Sequence, residues 1–278
     1  MGRVMGIAGS ALLALAASGG AASADEDRPF ATLYTTMTEP AGEGEMEQTF
    51  AWKTGHAEER YNEIQSRSEF EYGLGEGIQG ELALTADLAQ TREHTPPGPL
   101  ETERTIGVAG ELIGRVLDPH TSAIGLAFYV EPSWSTAEQG IEMKALLQKN
   151  YLGDRLVTVV NLNVEDNWVR GTAGHRESES ALELDLGAAW KFDPYASVGL
   201  ELDNERAFSG EIIGSRASQR SSSLFLGPTL TILSDPWSLT IGVQTQLPLA
   251  SGRAGEVAGG YASATERLRA ILRVSAEL

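Results

Sequence analysis

Leu182-Glu183-Leu184-Asp185-Leu186-Gly187-Ala188-Ala189-Trp190-Lys191-Phe192 alternates along its whole length: Leu182, Leu184, Leu186, Ala188, Trp190 and Phe192 share one parity, and Glu183, Asp185 and Lys191 the other. A strand turns successive side chains to opposite faces, so the segment reads as a strand with one face suited to hydrocarbon and one to water. It is also longer than the usual strand of about five or six residues in a soluble sheet. A tilted strand of about nine to eleven residues crosses the hydrocarbon core of a bilayer.

The same split recurs on both sides of this stretch. Ile64, Phe70, Tyr72 and Leu74 oppose Glu63, Gln65, Arg67, Glu69 and Glu71; Ile78, Leu82, Leu84, Ala86 and Leu88 oppose Gln79, Glu81, Thr85 and Asp87; Leu268, Ala270, Leu272, Val274 and Ala276 oppose Arg267, Arg269, Arg273 and Glu277. About twelve such segments are predicted, near residues 45–53, 62–74, 76–90, 103–116, 122–135, 139–149, 154–167, 179–192, 195–205, 220–232, 236–247 and 265–278, an even number as in single-chain bacterial barrels. The links alternate in length. Short ones carry turn residues, as in Gly75-Glu76-Gly77, Asp118-Pro119, Asp193-Pro194 and Asp235-Pro236, and longer ones span 90–102, 165–177, 204–219 and 248–264. The link at 132–138 is the exception, short where the scheme calls for a long one. Trp52, Trp134 and Trp168 fall at strand ends on the long-loop side, and Tyr72, Trp190, Phe192 and Trp237 on the short-turn side, as interfacial girdles do. The fold class that follows is all-β: a transmembrane antiparallel up-and-down β-barrel with short periplasmic turns and longer extracellular loops.

Domain organisation follows from the N-terminus. Arg3, the apolar and small residues 4–17, and Ala22-Ser23-Ala24 have the form of a signal peptide cleaved after Ala24. The segment is too short and too diluted by Gly and Ser for a membrane helix, and Asp25-Glu26-Asp27 follows at once. The expected division is signal peptide 1–24, an N-terminal periplasmic segment 25–44, and the barrel 45–278. Cysteine is absent, which excludes disulfides, thiolate metal sites and cysteine nucleophiles. A formal charge of −18 makes nucleic acid a poor partner.

Motifs with chemical meaning are few. Gly75-Glu76-Gly77-Ile78-Gln79-Gly80 fits G-x-G-x-x-G, but an alternating strand follows it where a dinucleotide site needs a helix N-terminus, so the glycines read as a tight turn. A membrane hydrolase would need a histidine beside a serine; His56, His94, His120 and His175 all fall in loops or turns, and no G-x-S-x-G is present. The acidic runs Glu43, Glu45, Glu47 and His56, Glu58, Glu59 lack a calcium-loop pattern and read as a solvated rim. No catalytic, cofactor-binding or metal-binding residues are therefore predicted, and no cofactor. Function is expected on the inner face, where the parity places Glu63, Glu69, Glu71, Glu81, Asp87, Glu131, Lys144, Glu183, Asp185, Arg267, Arg269 and Arg273, together with Glu142, Asn161, Asn163 and Glu201. Barrel closure would bring the last strand beside the first and its arginines near Glu45 and Glu47.

The segments 106–135, Leu147-Gln148-Lys149-Asn150-Tyr151-Leu152-Gly153-Asp154-Arg155-Leu156 and Phe225-Leu226-Gly227-Pro228-Thr229-Leu230 resemble an uncharacterised family of Gram-negative outer-membrane barrels, often labelled porin or transporter. The resemblance covers most of the chain after residue 24 and implies a barrel; its motifs are structural and carry over no catalytic residues. The chain departs from the usual pattern of such barrels by ending on Leu278 where an aromatic residue is common. The expectation is a narrow channel or transporter for small polar or cationic solutes in the outer membrane, not an enzyme. Its partners would be outer-membrane lipid, the barrel assembly machinery and small solutes, with no nucleic acid. A non-conducting barrel serving as an envelope structural or binding protein is the alternative, and a membrane hydrolase a third.

Overall fold

A computed structural model describes residues 28–56, 59–93, 98–170, 176–214 and 216–278. The expected signal peptide lies outside the described residues, as do His94 and His175. Twelve long antiparallel strands form the wall: β1 (Gly44–Thr54), β2 (Glu59–Gly75), β3 (Ile78–Glu93), β4 (Glu101–Leu117), β5 (Gly125–Ser135), β6 (Glu138–Tyr151), β7 (Leu156–Arg170), β8 (Arg176–Asp193), β9 (Ala196–Ser209), β10 (Ser218–Ser234), β11 (Trp237–Gln246) and β15 (Leu268–Glu277). Each pairs with its neighbours in sequence, and β15 pairs with both β11 and β1, which closes the ring. Closure leaves no free edge, the condition for a sheet to cross hydrocarbon. The short strands β12 (Ser251–Gly252), β13 (Val257–Ala258) and β14 (Tyr261–Ala262) belong to the loop before β15.

The alternation sets the two faces. Leu82 is 70% exposed on the outer surface, whereas Glu81 beside it is 5% exposed on the lumen side. The cross-strand registers keep one parity inward throughout, as in Glu47 opposite Glu69, Glu81 opposite Glu111, and Asn163 opposite Glu183. Trp52, Trp134, Tyr72, Phe192 and Trp237 are exposed outward near the strand ends. Trp168 differs: its indole N–H donates to Glu211 at 2.8 Å, and the backbone N–H groups of Ile212 and Ile213 donate to Asp166, so the β9–β10 loop folds over the outside of β7.

Short turns gather on one rim, where the start of β1 meets the chain end through Leu278 N–H to Gly44 O. Gly77 closes the β2–β3 turn at φ +70°, the left-handed backbone that glycine adopts without strain, and β3 follows directly. The β5–β6 link is just Thr136 and Ala137, so the exception noted in the sequence persists on the opposite rim. There the loop from 247 to 267 bends back over the lumen; Gln246 holds it, accepting from Ala262 N–H and donating to Glu266 O.

The N-terminal segment departs from expectation. Its described part, residues 28–40, does not hang below the barrel in the periplasm but runs through the lumen. Phe30, Leu33 and Thr36 are fully buried there. The physical reason is an apolar patch on the lumen parity near the short-turn rim: Phe30 and Leu33 pack with Val157, Val159 and Ala189, and Tyr34 packs on the cluster of Ile113, Ala127, Tyr129 and Leu146. Water against that patch would be costly, and the segment replaces it.

Candidate functional site: a strapped acidic lumen

The lumen is divided by this N-terminal strap. It leaves the wall beside β2, where Ala41 bridges Gly73 and Gly42 N–H donates to Gly73 O at 2.9 Å. A Cβ on Gly73 would lie 1.9 Å from the carbonyl oxygen of Pro40, so only glycine allows this approach. From there the strap crosses toward β6–β11 and returns to β15. An extended chain inside a barrel has no ladder partner for its backbone, and lumen side chains fill that role. Glu39 N–H donates to Gln79 Oε1 at 2.9 Å; Thr36 N–H and hydroxyl donate to Gln148 Oε1 at 2.8 and 3.0 Å. Tyr34 N–H donates to Asn161 Oδ1 at 2.8 Å, and the same Asn161 amide donates back to Tyr34 O at 3.0 Å.

Glu201 is the strongest of these anchors. Wholly buried, it accepts from the N–H groups of Ala31 (2.5 Å) and Thr32 (3.2 Å), from the Thr32 hydroxyl, and from the Gln244 amide at 3.1 Å. At the strap's far end Arg273 donates to the carbonyl of Arg28 at 2.5 Å and pairs with Glu47 at 3.2 Å, while the Arg28 guanidinium lies 4.0 Å over the Tyr34 ring. Gly187 and Gly242 make room: a Cβ at Gly187 would lie 2.7 Å from Phe30, and one at Gly242 2.4 Å from the Ala31 Cβ. Gly242→Val is therefore expected to push the strap off the wall while the barrel still closes. The check is chymotryptic cleavage after Phe30 or Tyr34 in protein whose heat-modifiable gel shift is intact.

Cavities lie on either side of the strap. One of about 150 Å³ opens toward the short-turn rim and includes Arg28, Tyr34, Glu45, Glu71 and Trp237 in its lining. Another, about 70 Å³, lies farther in, where Glu183, Asp185, Asp203 and Glu205 face Lys144 and Arg269. Carboxylates outnumber cations in that inner cavity by four to two. Lys144 pairs with Glu142 at 3.1 Å and sits over the rings of Tyr34 and Tyr129; Arg269 lies 3.7 Å from both Asp203 and Glu205, 3.0 Å from Glu266, and 3.7 Å over the Phe225 ring. Burial alone would raise the Glu266 carboxyl in the rim loop, but Arg269 first and Lys53 next hold it below the usual carboxylate range.

A second group centres on Arg67, which bonds Glu69, Glu81 (2.8 Å) and Glu131 (2.5 Å). Glu71 accepts from the Gln79 amide nearby. Glu63 accepts from Tyr61 and Gln65 closer to the long-loop rim, and Asp87 stands opposite Gln65 on the same face. The inward residues named from parity thus divide into a hub around Arg67, the inner cavity, and outer-rim groups. Arg267 stands apart: it precedes β15, is exposed, and lies 4.4 Å over the Tyr261 ring. Arg273 reaches Glu47 across the closing seam, and its Nη2 donates both to the strap carbonyl of Arg28 and to the Thr240 hydroxyl of the wall. His56 bonds Glu59 at 2.7 Å and stacks on Tyr61. Parity could also have placed Glu111 and Arg67, which the sequence reading left out of its inward candidates. The strap's path had a signal too, in the apolar residues on both parities near 113, 146 and 157–159.

A family model described as a family of unknown function, DUF6662, matches residues 21–272. The chain belongs to that family. No curated protein matches it significantly in sequence. Among solved structures, the DUF6662 chain is similar to the COG4313 outer membrane channel from Pseudomonas putida F1, at TM-score 0.60 and 11% identity over 87% of this chain and 97% of that one. It is also similar to the β domain of the Bordetella autotransporter BrkA (TM-score 0.57, 10% identity, 85% and 100% covered) and to the translocator domain of the autotransporter NalP from Neisseria meningitidis (0.54, 12%, 86% and 88%). At these identities the likeness is one of fold: the chain has the closed β-barrel of outer-membrane proteins.

Proposed function

We propose that this chain is a narrow outer-membrane channel that prefers small cations or polar solutes, its bore set by its own N-terminal strap. The observation that carries this reading is the surplus of inward carboxylates beside the strap, with Glu183, Asp185, Asp203 and Glu205 facing only Lys144 and Arg269. Fixed negative charge in a confined, low-dielectric passage concentrates cations and repels anions. The outer apolar band and the aromatic residues near the strand ends support residence in the outer membrane.

The non-conducting reading has its own supporting observation, since the strap crosses the lumen and its bonds satisfy much of the inner face. Planar-bilayer recording of the refolded protein under a KCl gradient separates the two. Discrete steps with a reversal potential displaced toward that of potassium are expected. A folded but silent barrel, or a reversal potential toward chloride, would overturn the channel reading.

A further inference from the structure

Glu81, Glu111 and Glu131 stand side by side on β3, β4 and β5, all buried, each offering a carboxylate oxygen within 4.8 Å of the others. Arg67 accounts for two of them, bonding Glu81 and Glu131, and the Tyr129 hydroxyl donates to Glu131 at 2.9 Å. Glu111 has nothing comparable. It is only 6% exposed, and apart from the neighbouring Glu81 carboxyl neither of its buried oxygens has a hydrogen-bond partner. Directly across the ladder it meets Glu81, a like charge.

A buried carboxylate with no donor is costly, and a second carboxylate beside it makes matters worse. Only two things can sit between such groups and lower the energy: a proton shared by the pair, or a cation. Arg67 and the neighbouring Lys144 stand against Glu69, Glu81, Glu111, Glu131 and Glu142, so carboxylates outnumber cations by five to two. We infer that Glu81, Glu111 and Glu131 form a binding site for a hard divalent cation in the barrel wall, with Glu111 as its uncommitted ligand. Oxygen-only ligands select calcium or magnesium over softer metals. Calcium is favoured, because it accepts an irregular oxygen shell completed by water, whereas magnesium demands near-ideal octahedral geometry. The ion would tie three consecutive strands together beside the Tyr34–Tyr129 contact that holds the strap. The site does not rest on the channel reading, since a silent barrel would bind the ion equally well.

Tyr129 supplies the probe. Terbium, a calcium-sized ion with the same taste in ligands, bound at Glu131 lies close enough to Tyr129 for tyrosine-sensitised emission. The refolded full barrel in detergent is expected to show saturable emission that calcium displaces. Glu111→Gln, with its heat-modifiable shift intact, should weaken terbium and calcium binding at least about tenfold, whereas Glu45→Gln, in the cavity at the short-turn rim, should leave it unchanged. Calcium should also raise the unfolding temperature of the unmodified barrel relative to chelator. Should Glu111→Gln not fold, Glu131→Gln carries the same expectation. Absence of saturable binding by the unmodified barrel, or binding indifferent to Glu111→Gln, would overturn the site and assign the Glu81–Glu111 contact to a shared proton.

Discussion

Removal of residues 28–40 is expected to raise single-channel conductance several-fold without preventing barrel closure. The strands do not depend on the strap for their ladders, since every one of the twelve finds both partners within the ring. A ring of twelve strands spaced about 4.8 Å apart and tilted about 40° is about 24 Å across from backbone to backbone. Inward side chains take up roughly half of that, and an extended segment carrying Phe30, Leu33 and Tyr34 fills most of what is left on the short-turn side. Losing the segment exposes the apolar patch of Ile113, Val157, Val159 and Ala189 to lumen water. Loss of the buried Phe30 and Leu33 side chains alone forgoes about 3–6 kcal/mol. The shortened protein should therefore unfold at lower temperature even as it conducts more. Conductance steps of unchanged size would mean that the constriction lies elsewhere, with the loop over the opposite rim as the next place to look.

The strap also marks where the sequence ceased to be readable. Wall strands were legible because bilayer and lumen impose opposite solvents on the two parities, and residues such as Leu182 through Phe192 record that in every second position. Turns were legible for a similar reason, with Gly77 and the Asp-Pro pairs meeting local backbone demands that no distant contact can override. The strap has no such imprint. Pro29-Phe30-Ala31-Thr32-Leu33-Tyr34 has neither strand alternation nor a ladder, and its conformation comes from Glu201, Asn161, Gln148 and Gln79, which lie between 40 and 170 positions away in the chain. The same limit applied to the inner charges. Parity could say that Arg269 and Arg273 face inward, but only the closed ring sends Arg269 to Asp203 and Glu205 and Arg273 to Glu47.

Glu201→Ala tests the strap's hold most directly, because it removes no strap residue and leaves the wall's backbone unchanged. The substitution strips the acceptor from the N–H groups of Ala31 and Thr32 and from the Thr32 hydroxyl, deep in the lumen, and leaves the Gln244 amide, 3.3 Å from that hydroxyl, to compensate only in part. Leaving donors of a buried charged interaction unpaired costs about 2–5 kcal/mol, similar to what the burial of Phe30 and Leu33 contributes. The strap should then leave its seat for a measurable fraction of the time, whereas the outer ladder stays closed. Bilayer records are expected to show bursts at the conductance of the strapless protein, and chymotrypsin should cut after Phe30 or Tyr34 in the variant but not in the parent. Glu201→Gln keeps one acceptor oxygen and should fall between the two. If Glu201→Ala matched the parent in both protease resistance and conductance, the apolar contacts would be sufficient to seat the strap, and the hydrogen bonds around Glu201 would serve to fix its register instead of holding it in place.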